Sequence, residues 1–230
     1  MPGRILRSAG LALVARANAQ RWLTGAIGAA LAIAATGLIA ASLGAATAPG
    51  AWLVASMGAS AVLLFVLPAS PLSQPWPVFG GHVLAAAIGL VVRAIVPEPW
   101  LAAGIAVGAA IVLMNLARCL HPPAGGTVLI TTLATPAALT WSFLVFPLAL
   151  NVLVLLIWAV GWNRLTGHSY PHRTPPVAEQ RTWVGHIDDA DLDAVLAEWN
   201  DVLDISREDL LGVLHAAEAR VFARTNPRQR

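Results

Sequence analysis

The residues best suited to chemistry lie in a short polar stretch between two apolar segments. The stretch reads Asn115-Leu-Ala-Arg118-Cys119-Leu-His121-Pro122-Pro123-Ala-Gly125-Gly126-Thr127. The two prolines predict the start of a helix, because proline in the first turn loses no hydrogen bond. The first-turn N–H groups are then expected to be unpaired at the positive end of a helix dipole, and the glycines leave that backbone open to a ligand. This pattern predicts a binding site for a small anion.

Three further side chains could take part in this chemistry. Thr127 adds a hydroxyl donor, and Arg118 is either a cation near the substrate or a side chain that reaches the membrane surface. His82 follows two glycines inside an apolar segment, and an ionisable residue in such a place is a candidate for function. It could exchange a proton near neutral pH, or it could be a neutral imidazole bonded between helices.

Metal and enzyme chemistry are not predicted. Cys119 and His121 would supply two metal ligands without partners, so we expect no metal and no cofactor. The apolar region contains Glu98 as its sole carboxylate, between two prolines, and a Ser/His/Asp hydrolase is therefore not supported.

Composition excludes a soluble enzyme and indicates a protein in the lipid bilayer. Of 230 residues, 57% are hydrophobic and 11% are charged, against about 25% charged in an ordinary soluble domain. Residues 1–178 hold eight arginines and one acid, whereas residues 179–230 hold six arginines and eleven acids. Because the basic residues flank apolar segments, they predict membrane orientation rather than binding to nucleic acid.

Six apolar segments are candidates for membrane spans, which need about 20 residues each. Four are long, and two are short and interrupted by proline; the long ones are 22–45, 76–97, 99–118 and 141–162, and the short ones are 51–67 and 122–139. Arginines before the first span and after the last predict that both termini are cytoplasmic. The number of spans is then even, six or four, with four if the short segments do not cross.

Each short segment is the middle member of a group of three. The run that begins Gly58-Ala59-Ser60 resembles the run that begins Ala124-Gly125-Gly126, although apolar sequence rich in small residues can be self-similar by chance. An all-α polytopic bundle of two inverted three-helix repeats, with short broken middle helices, would place a substrate site where these helices meet. That site would include Gly58, Ser60 and Asn115.

The chain changes character after the last span. Leucines, valines and alanines recur at helical spacing after residue 187, and Ser206 to Asp209 resembles a helix-capping signature. We expect this small cytosolic helical hairpin to dimerise or to pack on the bundle. The predicted divisions are a basic cytosolic segment 1–21, a transmembrane domain 22–165, a Pro-rich linker 166–185, the hairpin 186–225 and a disordered tail 226–230.

Four short motifs resemble those of the HPP family of integral membrane proteins, which is named for its His-Pro-Pro motif. They are Gly58-Ala-Ser60-Ala-Val-Leu-Leu-Phe65, Ser70-Pro71-Leu-Ser-Gln74-Pro75, Gly80-Gly81-His82 and Leu120-His121-Pro122-Pro123-Ala124-Gly125-Gly126-Thr127. They occur in the family's order, with compatible apolar sequence from 22 to 165. The resemblance implies four transmembrane helices and, because some members are implicated in nitrite transport in chloroplasts and cyanobacteria, a membrane transporter.

We therefore predict a transporter of a small inorganic anion, nitrite first, in a bacterial inner membrane. An anion that moves inward opposes a negative-inside potential, and His82 and His121 are the candidate proton carriers that could offset it. A channel for small neutral solutes and a non-transporting membrane scaffold, with the tail as its interaction element, are the alternatives. A homo-oligomer is also expected.

Overall fold

The computed structural model describes residues 2–43, 53–134, 140–173, 187–199 and 205–225, and helix is the regular structure of all these ranges. The chain divides into two compact units, one that ends at Pro171 and one that begins at His172. The first unit contains all the apolar segments. The predicted residues 135–139 of the second short segment, 174–185 of the linker and 226–230 of the tail lie outside the described residues.

Six α-helices lie in the described residues of the first unit. They are α1 Pro2–Leu43, α2 Ser56–Val66, α3 Pro75–Ile95, α4 Pro99–Leu116, α5 Ala124–Leu133 and α6 Leu150–Leu165. A 3₁₀ turn at Pro71–Ser73 precedes α3, and a 3₁₀ turn and a π turn over Trp141–Leu144 and Val145–Ala149 lead into α6. Helix α1 begins at Pro2 and continues through the predicted basic segment 1–21 into the first span.

Four helices in the described part of the chain are long and apolar enough to cross a membrane. They are Trp22–Leu43, Pro75–Ile95, Pro99–Leu116 and Trp141–Leu165. Prolines at the first position of α3 and α4 fit the expected helix starts. The remaining two, α2 and α5, have 11 and 10 residues, so each covers about half of a bilayer core at about 1.5 Å per residue.

Three neighbouring pairs of helices, α1–α6, α3–α4 and α1–α2, run in opposite directions. The Trp162 indole donates to the Thr24 carbonyl at 3.2 Å, so the end of α6 lies beside the start of the first span. The Trp76 indole donates to the Ala117 carbonyl at 3.1 Å, so the start of α3 lies beside the end of α4. Helix α2 runs against α1, because the Phe65 carbonyl lies 2.7 Å from a Cβ built at Gly25, near the start of the span.

The helix contacts follow the exchange expected of two repeats. If α1, α2 and α3 are exchanged with α4, α5 and α6, the α1–α2 contact becomes α4–α5, α1–α6 becomes α3–α4, and α2–α6 becomes α3–α5; all six contacts are present. Because α1 and α4 run in opposite directions, the exchange inverts the unit. The arrangement is that of the inverted three-helix repeat inferred from the short middle segments.

Tryptophans mark the beginning of all four long spans. Trp22, Trp76, Trp100 and Trp141 are each exposed by more than half of their surface. Aromatic rings in such positions suit the interface between lipid and water. Trp158 and Trp162 are instead partly buried against the apolar core, and Trp52 lies outside the described residues.

The second unit contains two helices, α7 Asp189–Trp199 and α8 Arg207–Thr225. The Ser206 hydroxyl accepts a bond from the Asp209 N–H at 3.0 Å, as the capping signature predicts. The Arg207 guanidinium bonds both carboxylate oxygens of Asp193, at 2.7 and 2.9 Å, which joins the two helices.

Candidate functional site

Five polar side chains form a buried group where the two short helices meet, here called the polar cluster. Its members are Ser56 and Ser60 of α2, His82 of α3, His121 before α5, and Thr127 of α5. The exposed fraction is 7% for Ser56 and 0% for the other four. The cluster thus lies inside the apolar bundle and is nearest to the surface at Ser56.

Hydrogen bonds link all five side chains in one continuous series. The Ser60 hydroxyl lies between two imidazoles, 2.8 Å from His82 Nε2 and 2.9 Å from His121 Nε2. On its other side, His82 Nδ1 lies 2.7 Å from the Thr127 hydroxyl, which lies 2.7 Å from the Ser56 hydroxyl. The imidazole centroids are 5.1 Å apart in an edge-to-face arrangement. No member of the cluster needs a partner from outside the protein.

Beyond His121, this series of hydrogen bonds ends at a backbone carbonyl. His121 Nδ1 lies 2.8 Å from the Leu72 oxygen, in the 3₁₀ turn before α3. Ser73, the next residue of this 3₁₀ turn, is also held by a hydrogen bond, because the buried Tyr170 hydroxyl donates to its carbonyl at 2.8 Å. Burial raises the pKa of Tyr170 above its ordinary value, so its phenol keeps the proton that it donates.

Local sequence explains how these side chains come together. Ser56 and Ser60 are four residues apart and therefore share one face of α2. The segment that carries His121 passes against α3 at Gly81, where a Cβ would lie 2.8 Å from the His121 Cβ and 2.9 Å from the Cys119 carbonyl. A residue larger than glycine at position 81 would therefore displace His121.

Four of the predicted site residues lie in the polar cluster, namely Ser60, His82, His121 and Thr127. Gly126 is exposed at its edge, where a Cβ would lie 3.4 Å from the Ser56 Cβ. Pro122, Pro123 and Gly125 form the turn and first residues of α5, between His121 and Thr127.

Three predicted residues lie elsewhere. Gly58 is exposed on α2 with no atom near its Cβ position. Asn115 is exposed, and its side-chain amide donates to the Ile111 carbonyl of its own helix at 2.8 Å. Arg118 is exposed in a turn with φ of 53°, so it does not supply a cation to the cluster.

The expectation of unpaired first-turn amides is wrong. The N–H groups of Ala124, Gly125 and Gly126 donate to the carbonyls of His121, Pro122 and Pro123, at 2.9, 3.0 and 3.0 Å. The reason is that Pro123 itself has helical backbone angles, so the two prolines supply the carbonyls that the first turn needs. Side chains rather than free amides therefore form this site.

Two groups of the site were absent from the sequence prediction. Ser56 could have been found, because it precedes Ser60 by one helical turn. The Leu72 carbonyl had no signal in the sequence, since any residue in that turn would present the same oxygen. Among the residues that the structure describes, no group of three or more His, Cys, Asp or Glu is placed to hold a metal ion.

The long apolar helices and the two short helices around a buried polar cluster define a polytopic α-helical membrane protein. Residues 14–171 match the family model for the HPP transmembrane region. Because this match covers more than half of the chain, the protein belongs to the HPP family. The His-Pro-Pro sequence of the family name lies at positions 121–123, and its histidine is a member of the polar cluster.

Two transmembrane proteins of Dictyostelium discoideum are similar to the chain. One is 34% identical over 125 residues, which are 52% of this chain and 44% of the relative. The other is 34% identical over 117 residues, 49% of this chain and 38% of the relative. The chain thus spans less than half the length of these curated relatives. No solved structure matches the chain significantly.

Proposed function

We propose that the protein is a membrane transporter of a small inorganic anion, with nitrite as the first candidate. The observation that carries this proposal is the polar cluster, a continuous set of hydrogen-bonding side chains enclosed in an otherwise apolar bundle. Burial of a polar group costs free energy unless it is hydrogen-bonded, and polar groups inside membrane proteins commonly mark substrate or ion pathways. The inverted pair of short helices around the cluster also supports transport.

The cluster contains donors of the kind that a small anion needs; they bond one another and Leu72 in the structure, and an entering anion would take the place of some of these acceptors. Ser56, Ser60 and Thr127 have hydroxyl protons, and His82 and His121 each have at least one ring N–H. A triatomic anion such as nitrite has two oxygens that can accept these bonds. The resemblance of the HPP motifs to those of nitrite transporters selects nitrite among the small anions.

The proposed location is a bacterial inner membrane with both ends of the chain in the cytoplasm. The arginines before the first span and after the last support this orientation. The start of the first span and the end of α6 lie at the same end of the bundle, which agrees with termini on one side.

A channel for small neutral solutes is a second candidate. It is favoured by the absence of a permanently charged side chain from the five members of the polar cluster. A non-transporting scaffold is the third reading, and the same experiment separates all three.

The experiment is uptake into proteoliposomes that contain the full chain, measured above protein-free vesicles of the same lipid. Nitrite, nitrate, chloride and the neutral solutes urea and glycerol are the probes. We expect the unaltered protein to take up nitrite in a saturable manner. The rate of this uptake should fall by about 100-fold in His82→Ala and in His121→Ala. Ser42→Ala is the control, because this exposed hydroxyl bonds its own helix at Ile39.

The other results are equally clear. Unsaturable uptake of urea or glycerol would replace the transporter with the channel. An absence of flux for all five probes would leave the scaffold. Nitrite uptake that is unchanged in both histidine variants would remove the polar cluster from the mechanism.

A further inference from the structure

The Leu72 carbonyl fixes the direction of every hydrogen bond in the polar cluster. A carbonyl oxygen can accept a hydrogen bond but cannot donate one. His121 must therefore carry its proton on Nδ1, which faces the Leu72 oxygen at 2.8 Å. In the neutral imidazole the other nitrogen, Nε2, is then an acceptor.

The remaining directions follow one from another. Ser60 donates to His121 Nε2 at 2.9 Å rather than to the Ser56 carbonyl at 3.3 Å, so its oxygen must accept the N–H of His82 Nε2. His82 Nδ1 is then an acceptor and receives the Thr127 proton. Thr127 in turn accepts the proton of Ser56. All protons thus point the same way, from Ser56 towards Leu72, with both imidazoles neutral and in opposite tautomers.

This series of hydrogen bonds can pass an added proton from Ser56 to His121. A proton that reaches the Ser56 oxygen releases the original Ser56 proton to Thr127, and Thr127 releases its own proton to His82 Nδ1. The His82 ring is then an imidazolium, and its Nε2 proton can pass through Ser60 to His121 Nε2. Each hydroxyl is left neutral. The path ends at His121, because the Leu72 carbonyl has no proton to pass on.

Ser56 is the end of this path that lies nearest to the surface of the bundle. Ser56 is 7% exposed, whereas Thr127, His82, Ser60 and His121 are fully buried. Gly126 is exposed directly beside Ser56 and has no side chain to cover it. We therefore take Ser56, where α2 begins, as the end of the path at which a proton enters, and the proton leaves by the reverse of these steps.

The ionisable groups around the cluster are few, and one of them, Tyr170, bonds the Ser73 carbonyl beside Leu72. In the described residues, α1 from Trp22 onward, α2, α4 and α5 contain no titratable side chain. Arg93 lies eleven residues along α3 from His82 and bonds the carbonyls at the end of α5. Arg164 lies in the last turn of α6, Cys119 is buried beside Gly80, and Arg118 is exposed. The imidazole pair is thus the place in the cluster where positive charge can appear.

We propose that the polar cluster is a proton relay with Ser60 as its central link, and that a proton accompanies each anion through the protein. This inference rests on the proposed function. A buried anion without a countercharge is strongly unfavourable, and a proton held between His82 and His121 supplies that charge. The anion and the proton together are neutral, so their movement does not depend on the membrane potential.

The test uses proteoliposomes of the full chain with a pH dye in the lumen and a potential clamped by potassium and valinomycin. Nitrite is the probe, and uptake into protein-free vesicles is subtracted. We expect nitrite entry to acidify the lumen at an initial rate that does not change with the clamped potential. Ser60→Ala should lower both nitrite entry and acidification by about tenfold or more, because it separates the two imidazoles.

Two variants separate the relay from a merely structural role. Ser60→Thr keeps a hydroxyl between the rings and should restore acidification together with uptake. Thr36→Ala removes a buried hydroxyl that bonds its own helix at Ala32, and it should behave as the unaltered protein does.

The outcomes distinguish the relay from the function on which it rests. Nitrite entry that follows the clamped potential and leaves the lumenal pH unchanged would retain transport and overturn the relay. The relay would also be overturned if Ser60→Ala matched the unaltered protein in both entry and acidification. If the unaltered protein carries no nitrite above background, the proposed transport fails and the coupling fails with it.

Discussion

The two short helices are held in the same way by different chemistry. Helix α2 lies against α6, whose Asn151 Oδ1 accepts the Val54 N–H at 2.9 Å and whose Asn163 donates to the Leu64 carbonyl at 3.0 Å. Helix α5 lies against α3, whose His82 bonds Thr127 and whose Arg93 donates to the Thr131 carbonyl at 3.3 Å. In both cases one long helix bonds the beginning and the end of the short one.

The side chains of α6 and α3 that bond the short helices differ in their ability to carry charge. The two side chains of α6 are amides, which stay neutral at every pH, whereas those of α3 are an imidazole and a guanidinium. The spacing between them is twelve residues in α6 and eleven in α3. The last helix of the second repeat, α6, therefore holds the short helix of the first repeat with fixed partners, and α3 of the first repeat holds the short helix of the second with a group whose charge can change. Substitutions on each side test this contrast.

The largest effect is expected from Gly89→Ala, on the side of α5. A Cβ at this position would lie 2.8 Å from the Val128 carbonyl and would also overlap the Thr131 hydroxyl. Because a carbonyl of the neighbouring helix cannot rotate away, α3 and α5 must separate, which should destabilise the protein by about 3 kcal/mol. Thermal unfolding of the purified protein in detergent measures this loss.

Gly104→Ala on α4 is the matched control, because no atom lies within 4 Å of its Cβ position. Alanine favours helix over glycine by about 1 kcal/mol, so this variant should be as stable as the unaltered protein or slightly more stable. Equal melting of the two variants would show that α3 and α5 are not in close contact.

The next effect is on transport rather than on stability. His82→Asn gives α3 the kind of side chain that α6 has at Asn151, so the hydrogen bond to Thr127 can persist while the proton carrier is lost. We expect a folded protein whose nitrite uptake falls by about 100-fold. Uptake per folded molecule in proteoliposomes checks this.

Asn151→Ala is the mirror variant. It leaves the Val54 N–H without its acceptor and should lower the melting temperature, with uptake per folded molecule unchanged. The contrast between the repeats would be lost if Asn151→Ala removed proton-coupled uptake as His82→Asn does.

A smaller effect is expected from Asn163→Ala. The Asn163 amide donates both to Leu64 of α2 and to Ala159 of its own helix. Because the second carbonyl already belongs to a helix, the loss is mainly that of one bond between helices, about 1 kcal/mol. Thermal unfolding measures it, and a melting temperature unchanged from that of the parent protein would mean that the end of α2 is held by apolar packing alone.

The smallest effect is expected in the second unit, which gives an exposed reference for these buried bonds. The hydrogen bond from Arg207 lowers the pKa of Asp193 below its ordinary value. The ion pair therefore stabilises α7 against α8 above the ordinary carboxyl pKa, and this small contribution disappears as pH falls through the lowered pKa.

Amide hydrogen exchange over residues 189–199 of the full chain measures this contribution. Asp193→Asn should raise the exchange rate slightly at neutral pH and remove the acid-dependent part of the change. The same pH dependence in parent and variant would contradict the assignment to Asp193.

Much of the fold follows from hydropathy and proline. Helices α3 and α4 begin at Pro75 and Pro99 and differ from the expected spans by a few residues, because composition and helix starts are local properties of the sequence. The short length of the two middle segments was likewise predictable, because Pro68 and Pro136 limit their apolar runs.

The site was less predictable, because long-range contacts decide it. Ser60, His82, His121 and Thr127 could be chosen as polar residues in apolar surroundings, but the same reasoning also chose Asn115 and Arg118. Asn115 lies on an exposed face of α4, and Arg118 is exposed in the turn after α4, at positive φ, before the chain enters the interior at Cys119. The pairing of the Gly125 and Gly126 amides depended on the backbone angles of Pro123, which residue type alone does not determine.

Tyr170 gives the polar cluster a mechanical connection. Its phenol donates a hydrogen bond to the Ser73 carbonyl, and the preceding carbonyl, that of Leu72, accepts a hydrogen bond from His121. Tyr170 is also the penultimate residue of the membrane unit. A displacement of the chain at residue 171 could therefore reach, through one hydrogen bond and one peptide unit, the acceptor that sets the orientation of the His121 imidazole.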